Sequence, residues 1–187
     1  MSLQSSASQT VGPFFHLGLN YLRRDNLLVP GIDGLKIAIR GRVLDGDAVP
    51  VPDALVEIWQ ADAEGRYSSE PAGMGNSAAF KGFGRVATDK NGAFSFVTIK
   101  PGRVSGPAGI LQAPHIVITV FARGLLKQLV TRLYFPDEPS NAEDTVLNLV
   151  PAERRVTLIA ARVAGETNAF EWNLILQGRD ETVFFDW

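Results

Sequence analysis

No cysteine occurs anywhere in the 187 residues. That absence removes disulfides, thiolate zinc sites, iron–sulfur clusters and cysteine nucleophiles together, and it is compatible with a reducing compartment. Histidine is scarce as well: only His16 and His115 occur. A serine hydrolase would have just these two candidate bases, and no G-x-S-x-G elbow accompanies them. The P-loop and the dinucleotide glycine fingerprint are missing; Gly73-x-Gly75 stands alone and follows no strand. Zinc-enzyme spacings such as H-E-x-x-H are also missing. Charge of one sign is nowhere concentrated, since 18 basic and 20 acidic residues are interspersed for a net charge of −2. Apolar runs fall far short of a membrane span. The opening MSLQSSASQT has no basic segment followed by an apolar one. The expectation is a cytoplasmic protein with no nucleic-acid and no membrane partner.

What the chain does contain is alternation. A length of 187 residues fits one domain able to bury roughly 70% of its unfolded surface. Residues 1–35 read as an irregular N-terminal arm and lead-in, and 36–187 as a β-sandwich domain. KIAIRGRVL (36–44), ALVEIWQAD (54–62), FGRVATD (83–89), AFSFVTI (93–99), HIVITVFAR (115–123) and QLVTRLYF (128–135) all read as strands. So do RRVTLIAARV (154–163), FEWNLILQG (170–178) and the short apolar VFFDW (183–187). Asn91-Gly92 predicts a hairpin between its flanking strands. SNAEDTVLNLV (140–150) is the one stretch with a helical start, capped by Ser140 or Asn141. The fold class expected is all-β, a two-layer sandwich with one or two short helices. The Gly/Ala/Ser-rich stretch Glu70–Gly82 is too long for an idle connection.

Side-chain chemistry alone singles out few positions. On a strand, residues 115, 117 and 119 share a face, so a chelating partner for His115 belongs at 117, where the chain has Val117. A lone histidine hydrogen-bonded to its surroundings is the plainer reading. Glu57 sits mid-strand, either paired inside or facing solvent, the latter being usual for a charge in an alternating strand; Asp62 and Glu64 are expected to sit solvated at a turn. Arg123 ends an apolar strand beside Gly124, where a rigid scaffold presents a cation at a loop tip. Thr10, Gly12 and Pro13 read as an arm, but Phe14 and Phe15 want burial, so the arm packs against something, and another chain would serve.

Taken together, ASQTVGPFFHLGL, LVEIWQADAEGRY (55–67), FGRVATDKNGAFSFVTIKPG (83–102), APHIVITVFARG (113–124), LVTRLYFPDE (129–138), AEDTVLNLV (142–150) and QGRDETVFFD (177–186) resemble the intradiol ring-cleavage dioxygenase family. Within it they resemble the α-subunit branch of the protocatechuate 3,4-dioxygenases. The likeness covers nearly the whole chain and implies an intradiol-dioxygenase-like β-sandwich. In that family a homologous β subunit holds a non-haem ferric ion through two tyrosines and two histidines. The histidines come from an H-I-H segment, where this chain has His115-Ile116-Val117. One tyrosine follows the K-P-G turn, where this chain reads Lys100-Pro101-Gly102-Arg103-Val104, and the other comes from the loop after G-R-Y, where Glu70–Gly82 has none. Tyr67 belongs to the shared G-R-Y signature; Tyr21 and Tyr134 are the remaining tyrosines.

The resemblance therefore implies a chain with no catalytic residue and no cofactor of its own. It implies a partnership with an Fe(III)-bearing β subunit in a higher-order αβ oligomer, where β cleaves protocatechuate with O2 to 3-carboxy-cis,cis-muconate. The α-side substrate contacts of the family map onto Arg123, Thr10, Gly12 and Pro13, at an interface suited to an aromatic carboxylate. The alternative is a stand-alone transthyretin-like β-sandwich binding module, which has no need of QTVGPFF or FARG. A homo-oligomeric metalloenzyme using His16, His115 and a tyrosine has no spacing signature to support it.

Overall fold

Alternation in KIAIRGRVL sets the first layer. In β1 (Lys36–Leu44), Ile37, Ile39, Gly41 and Val43 point into the core while Lys36, Arg40 and Arg42 face outwards, as a period of two requires. The computed structural model describes residue 18 and residues 20–68, 80–106 and 109–186. The other strands are β2 (Leu55–Trp59), β3 (Phe83–Ala87), β4 (Ala93–Ile99), β5 (Val104–Ser105), β6 (Leu111–Gln112), β7 (His115–Phe121), β8 (Leu129–Tyr134), β9 (Ala161–Arg162), β10 (Ala169–Glu171) and β11 (Leu174–Ile175).

Two sheets make a sandwich. In one, β1 pairs antiparallel with β4 and parallel with β10 and β11, and β9 joins β10. In the other, β3, β2, β7 and β8 form an antiparallel ladder in that order. Their facing sides bury Ile37, Ile39, Val56, Ile58, Phe94, Phe96, Ile116, Ile118, Leu133 and Phe170 in one cluster. Each such side chain contributes roughly 1.5–3 kcal/mol by leaving water. At Gly41 the backbone of the neighbouring segment comes so close that a Cβ would lie 1.9 Å from the Trp172 carbonyl oxygen; only glycine fits there.

Three expectations need correction. Asn91-Gly92 does form a tight turn, with Gly92 at φ +69°, but the strands it joins separate: β3 pairs with β2 and β4 with β1. The turn hands the chain from one layer to the other. RRVTLIAARV is not a continuous strand, because Ala152–Leu158 is a 3-10 helix, Ile159 makes an isolated bridge to Tyr134 and Ala161–Arg162 pairs with β10. Leu158 and Ile159 pack into the cover over Ala113 and Tyr134. Finally, 140–150 holds two 3-10 turns, Pro139–Glu143 and Leu147–Leu149, and Ser140 and Asn141 cap neither. The side chain of Asp144 takes the capping role, accepting from the backbone N–H groups of Val146 (3.0 Å) and Leu147 (2.8 Å).

The second sheet has an outer face as well. Pairings Trp59↔Val117, Glu57↔Thr119, His115↔Tyr134 and Val117↔Arg132 put these residues on the side away from the main core. A smaller apolar cluster of Ala113, Tyr134, Leu147, Val150 and Leu158 covers one end of that face. The candidate site lies there.

Candidate functional site

Arg123 sits in the turn between β7 and β8. Ala122 is buried and Leu125 packs against the main core, and Leu125 N–H donates to the Ala122 carbonyl at 3.2 Å. These anchors hold the turn while Arg123 and Gly124 face solvent; Gly124 supplies the φ of +86° that reverses the chain. Among the described residues no carboxylate pairs with Arg123. Thr10, Gly12, Pro13 and His16, together with most of the Glu70–Gly82 stretch, lie outside the described residues.

His115 opens β7 fully covered. Its Nδ1 lies 2.8 Å from the Ala113 carbonyl oxygen, an acceptor only, so Nδ1 carries the proton and donates it. Burial lowers its pKa to about 4, helped by the nearby Arg132 charge. The ring packs against Tyr134, with centroids 5.7 Å apart. This is a neutral imidazole locked in one tautomer.

Around it runs a chain of buried polar groups that sequence reasoning missed. Arg132 Nη1 donates to Gln112 Oε1 at 2.6 Å and reaches Tyr134 Oη at 3.4 Å. The Tyr134 hydroxyl donates to Asp144 Oδ1 at 3.1 Å, and Ala113 N–H donates to Asp144 Oδ2 at 2.7 Å. Burial pushes the Tyr134 phenol well up, and the Asp144 charge adds to it against the Arg132 charge. At the open end, Tyr67 stacks on Trp59 at 5.9 Å with 7° between ring planes; burial raises its pKa, with Arg132 opposing. The available signal was Arg132 itself, the one charge in the run LVTRLY.

The residues present do not fit a ferric ion. Position 117 offers an isopropyl group, and its cross-strand partner is the cation Arg132. Tyr134 keeps its proton and donates a hydrogen bond through it to Asp144 Oδ1, so it offers no phenolate oxygen of the kind a hard cation prefers. Arg103, just after the K-P-G turn, sends Nη2 to the Leu111 carbonyl at 3.1 Å. Among the described residues no three of histidine, aspartate and glutamate converge in metal-holding geometry. Of the two readings of Glu57 the paired one holds: it pairs with its register partner Arg85. Asp62 accepts from the backbone of Glu64 and Arg66 and pairs with the Arg66 guanidinium at 2.9 Å, which is a turn-fixing role. No helix among the described residues is long and apolar enough to cross a membrane.

Comparison with known proteins gives this geometry a context. Residues 20–178 match the Dioxygenase family profile. The α chain of protocatechuate 3,4-dioxygenase from Burkholderia cepacia is 42% identical over 99% of this chain and 98% of its own length. The β chain of the enzyme from the same organism is 35% identical over 80% of this chain and 67% of its own length. A dioxygenase domain from Streptomyces sp. SirexAA-E superposes with a TM-score of 0.64 at 27% identity, covering 84% of this chain and 89% of that domain. The chain belongs to the intradiol dioxygenase family, the one that holds both the α and the β chains of protocatechuate 3,4-dioxygenase.

Proposed function

We propose that this chain is the α subunit of a hetero-oligomeric protocatechuate 3,4-dioxygenase, inactive alone, which lends pocket wall and assembly contacts to an iron-bearing β subunit. The observation that carries the reading is the pairing of Val117 with Arg132. A chain whose metal-facing strand presents an isopropyl group and a guanidinium belongs with the α chain it matches end to end, not with a self-sufficient iron enzyme. Non-haem Fe(III) is then the partner's cofactor, and this chain binds none.

Arg123 is the substrate-facing residue in this reading. It is exposed on a turn anchored by Ala122 and Leu125, and a cation held at the mouth of a shared pocket both steers and orients an aromatic carboxylate. Thr10, Gly12 and Pro13 complete the α-side contacts, where a Gly-Pro backbone passes close to a flat ring without a side-chain clash. The test is to purify the full chain alone and then with an intradiol β chain carrying H-I-H. A colourless, iron-free α preparation and an active, coloured complex are expected. Stoichiometric iron in the chain alone, or ring cleavage by β that is indifferent to α, would overturn the proposal.

A further inference from the structure

The outer-face cluster invites a question that the missing ligands leave open: what does this pocket hold instead? Arg132 lies directly across from Val117, and directly opposed Cβ atoms on neighbouring strands are about 4.5–5.5 Å apart. Arg132 is buried, and its guanidinium engages two neutral oxygens, Gln112 Oε1 and Tyr134 Oη. The Tyr134 hydroxyl in turn donates a hydrogen bond to Asp144, whose carboxylate also accepts three backbone N–H bonds. Among the described residues, Gln112 Oε1, Tyr134 Oη and both Asp144 oxygens are thus already engaged by donors.

We infer that Arg132 is the resident cation of this pocket and that its charge, in addition to the absent second histidine, bars metal ions from it. The inference rests on the reading of the chain as the non-metal subunit, and it makes that state a built feature and not merely a loss. Restoring the ligand alone should therefore not restore the site. A Val117→His side chain would share a face with His115, yet a divalent ion between the two imidazoles would sit within a few ångströms of the guanidinium. At an effective dielectric near 20 that repulsion weakens binding on the order of 100-fold or more.

The experiment uses the full chain with V117H, V117H/R132Q, V117H/R132K and R132Q, each checked for cooperative thermal unfolding, and titrates Co(II) by visible absorption and calorimetry. V117H/R132Q should bind one Co(II), on the order of 100-fold more tightly than V117H or V117H/R132K, and R132Q alone should not bind. If Gln is not tolerated, Met at 132 removes the charge with similar reach. Equal Co(II) affinity in V117H and V117H/R132Q, or no binding by any folded charge-free double variant, would overturn the inference. Stoichiometric iron in the unmodified chain would instead overturn the subunit reading, so the two failures are distinguishable.

Discussion

Removing the Asp144 carboxylate should unfasten the cover over the outer face of the second sheet. Its Oδ2 accepts from Ala113 N–H at 2.7 Å, and its Oδ1 accepts from Val146 N–H at 3.0 Å, Leu147 N–H at 2.8 Å and the Tyr134 hydroxyl at 3.1 Å. The residue is fully buried. Hydrogen bonds to a charged group contribute about 1.5–3 kcal/mol each, and a buried donor left unpaired costs about 1–3 kcal/mol. These values do not add within one network, and water entering the gap would recover part of the loss. For Asp144→Ala the expected destabilisation is about 4 kcal/mol, which for a chain of this size lowers Tm by roughly 8–16 °C. Asp144→Asn keeps one acceptor oxygen but turns an amide N–H towards a donor, so about half that loss is expected. Tyr134→Phe deletes one bond and should cost about 1 kcal/mol. Urea unfolding followed by tryptophan fluorescence, with thermal scans alongside, measures all three. A loss under 1 kcal/mol for Asp144→Ala would refute the idea that this carboxylate organises the cover.

Other outcomes follow from the same structure. In the assembled enzyme, Arg123→Ala should raise KM for protocatechuate about tenfold, the size of one charge-assisted contact, and leave KM for neutral catechol nearly unchanged; equal effects on both would make Arg123 structural. His115 has a folded pKa near 4, below its unfolded value of about 6.5, so the unfolded chain binds the extra proton first. Its contribution to stability is then full above about pH 6.5 and is lost as pH falls towards 4, on the order of 3 kcal/mol in all. Urea midpoints between pH 4 and 7 should show this slope, and His115→Gln should flatten it without changing the iron content of the αβ complex. Gly41→Ala places a methyl 1.9 Å from the Trp172 carbonyl and should cost several kcal/mol of stability, read as a fall in Tm with little change in pocket chemistry.

Most strands were legible because their alternation is local: KIAIRGRVL and HIVITVF announce which side chains turn inwards before any partner is known. The tightness of the Asn91-Gly92 turn was legible for the same reason. Its pairing was not, because a turn sets a reversal and cannot say whether the two arms stay together or join different layers. RRVTLIAARV misled because a run of apolar and β-branched residues also suits a cover that packs on Tyr134 and Ala113. The Arg132–Tyr134–Asp144 chain was invisible for a deeper reason. It requires the β7–β8 register, which puts Arg132 opposite Val117 and Tyr134 opposite His115, and register is a property of two strands. The choice between pairing and solvent was undecidable for Glu57 likewise, since Arg85 becomes its neighbour only across β2 and β3.

The parallel pairing of β1 has a bearing on how the chain is made. Arg42 N–H finds its acceptor on Asn173, 131 positions later, and Ala38, Ile39 and Arg40 align with Ala169, Phe170 and Glu171. During vectorial synthesis the β3-β2-β7-β8 ladder can close while the ribosome still holds the segment that follows Tyr134. Until then β1 has only β4 beside it, and its other edge waits as an open template for wrong pairing. A nascent chain stopped before Ala169 would carry a closed ladder beside an unfinished layer, with Val183 and Phe185 still missing from the outer-face cover. Such an intermediate is the form most in need of a chaperone.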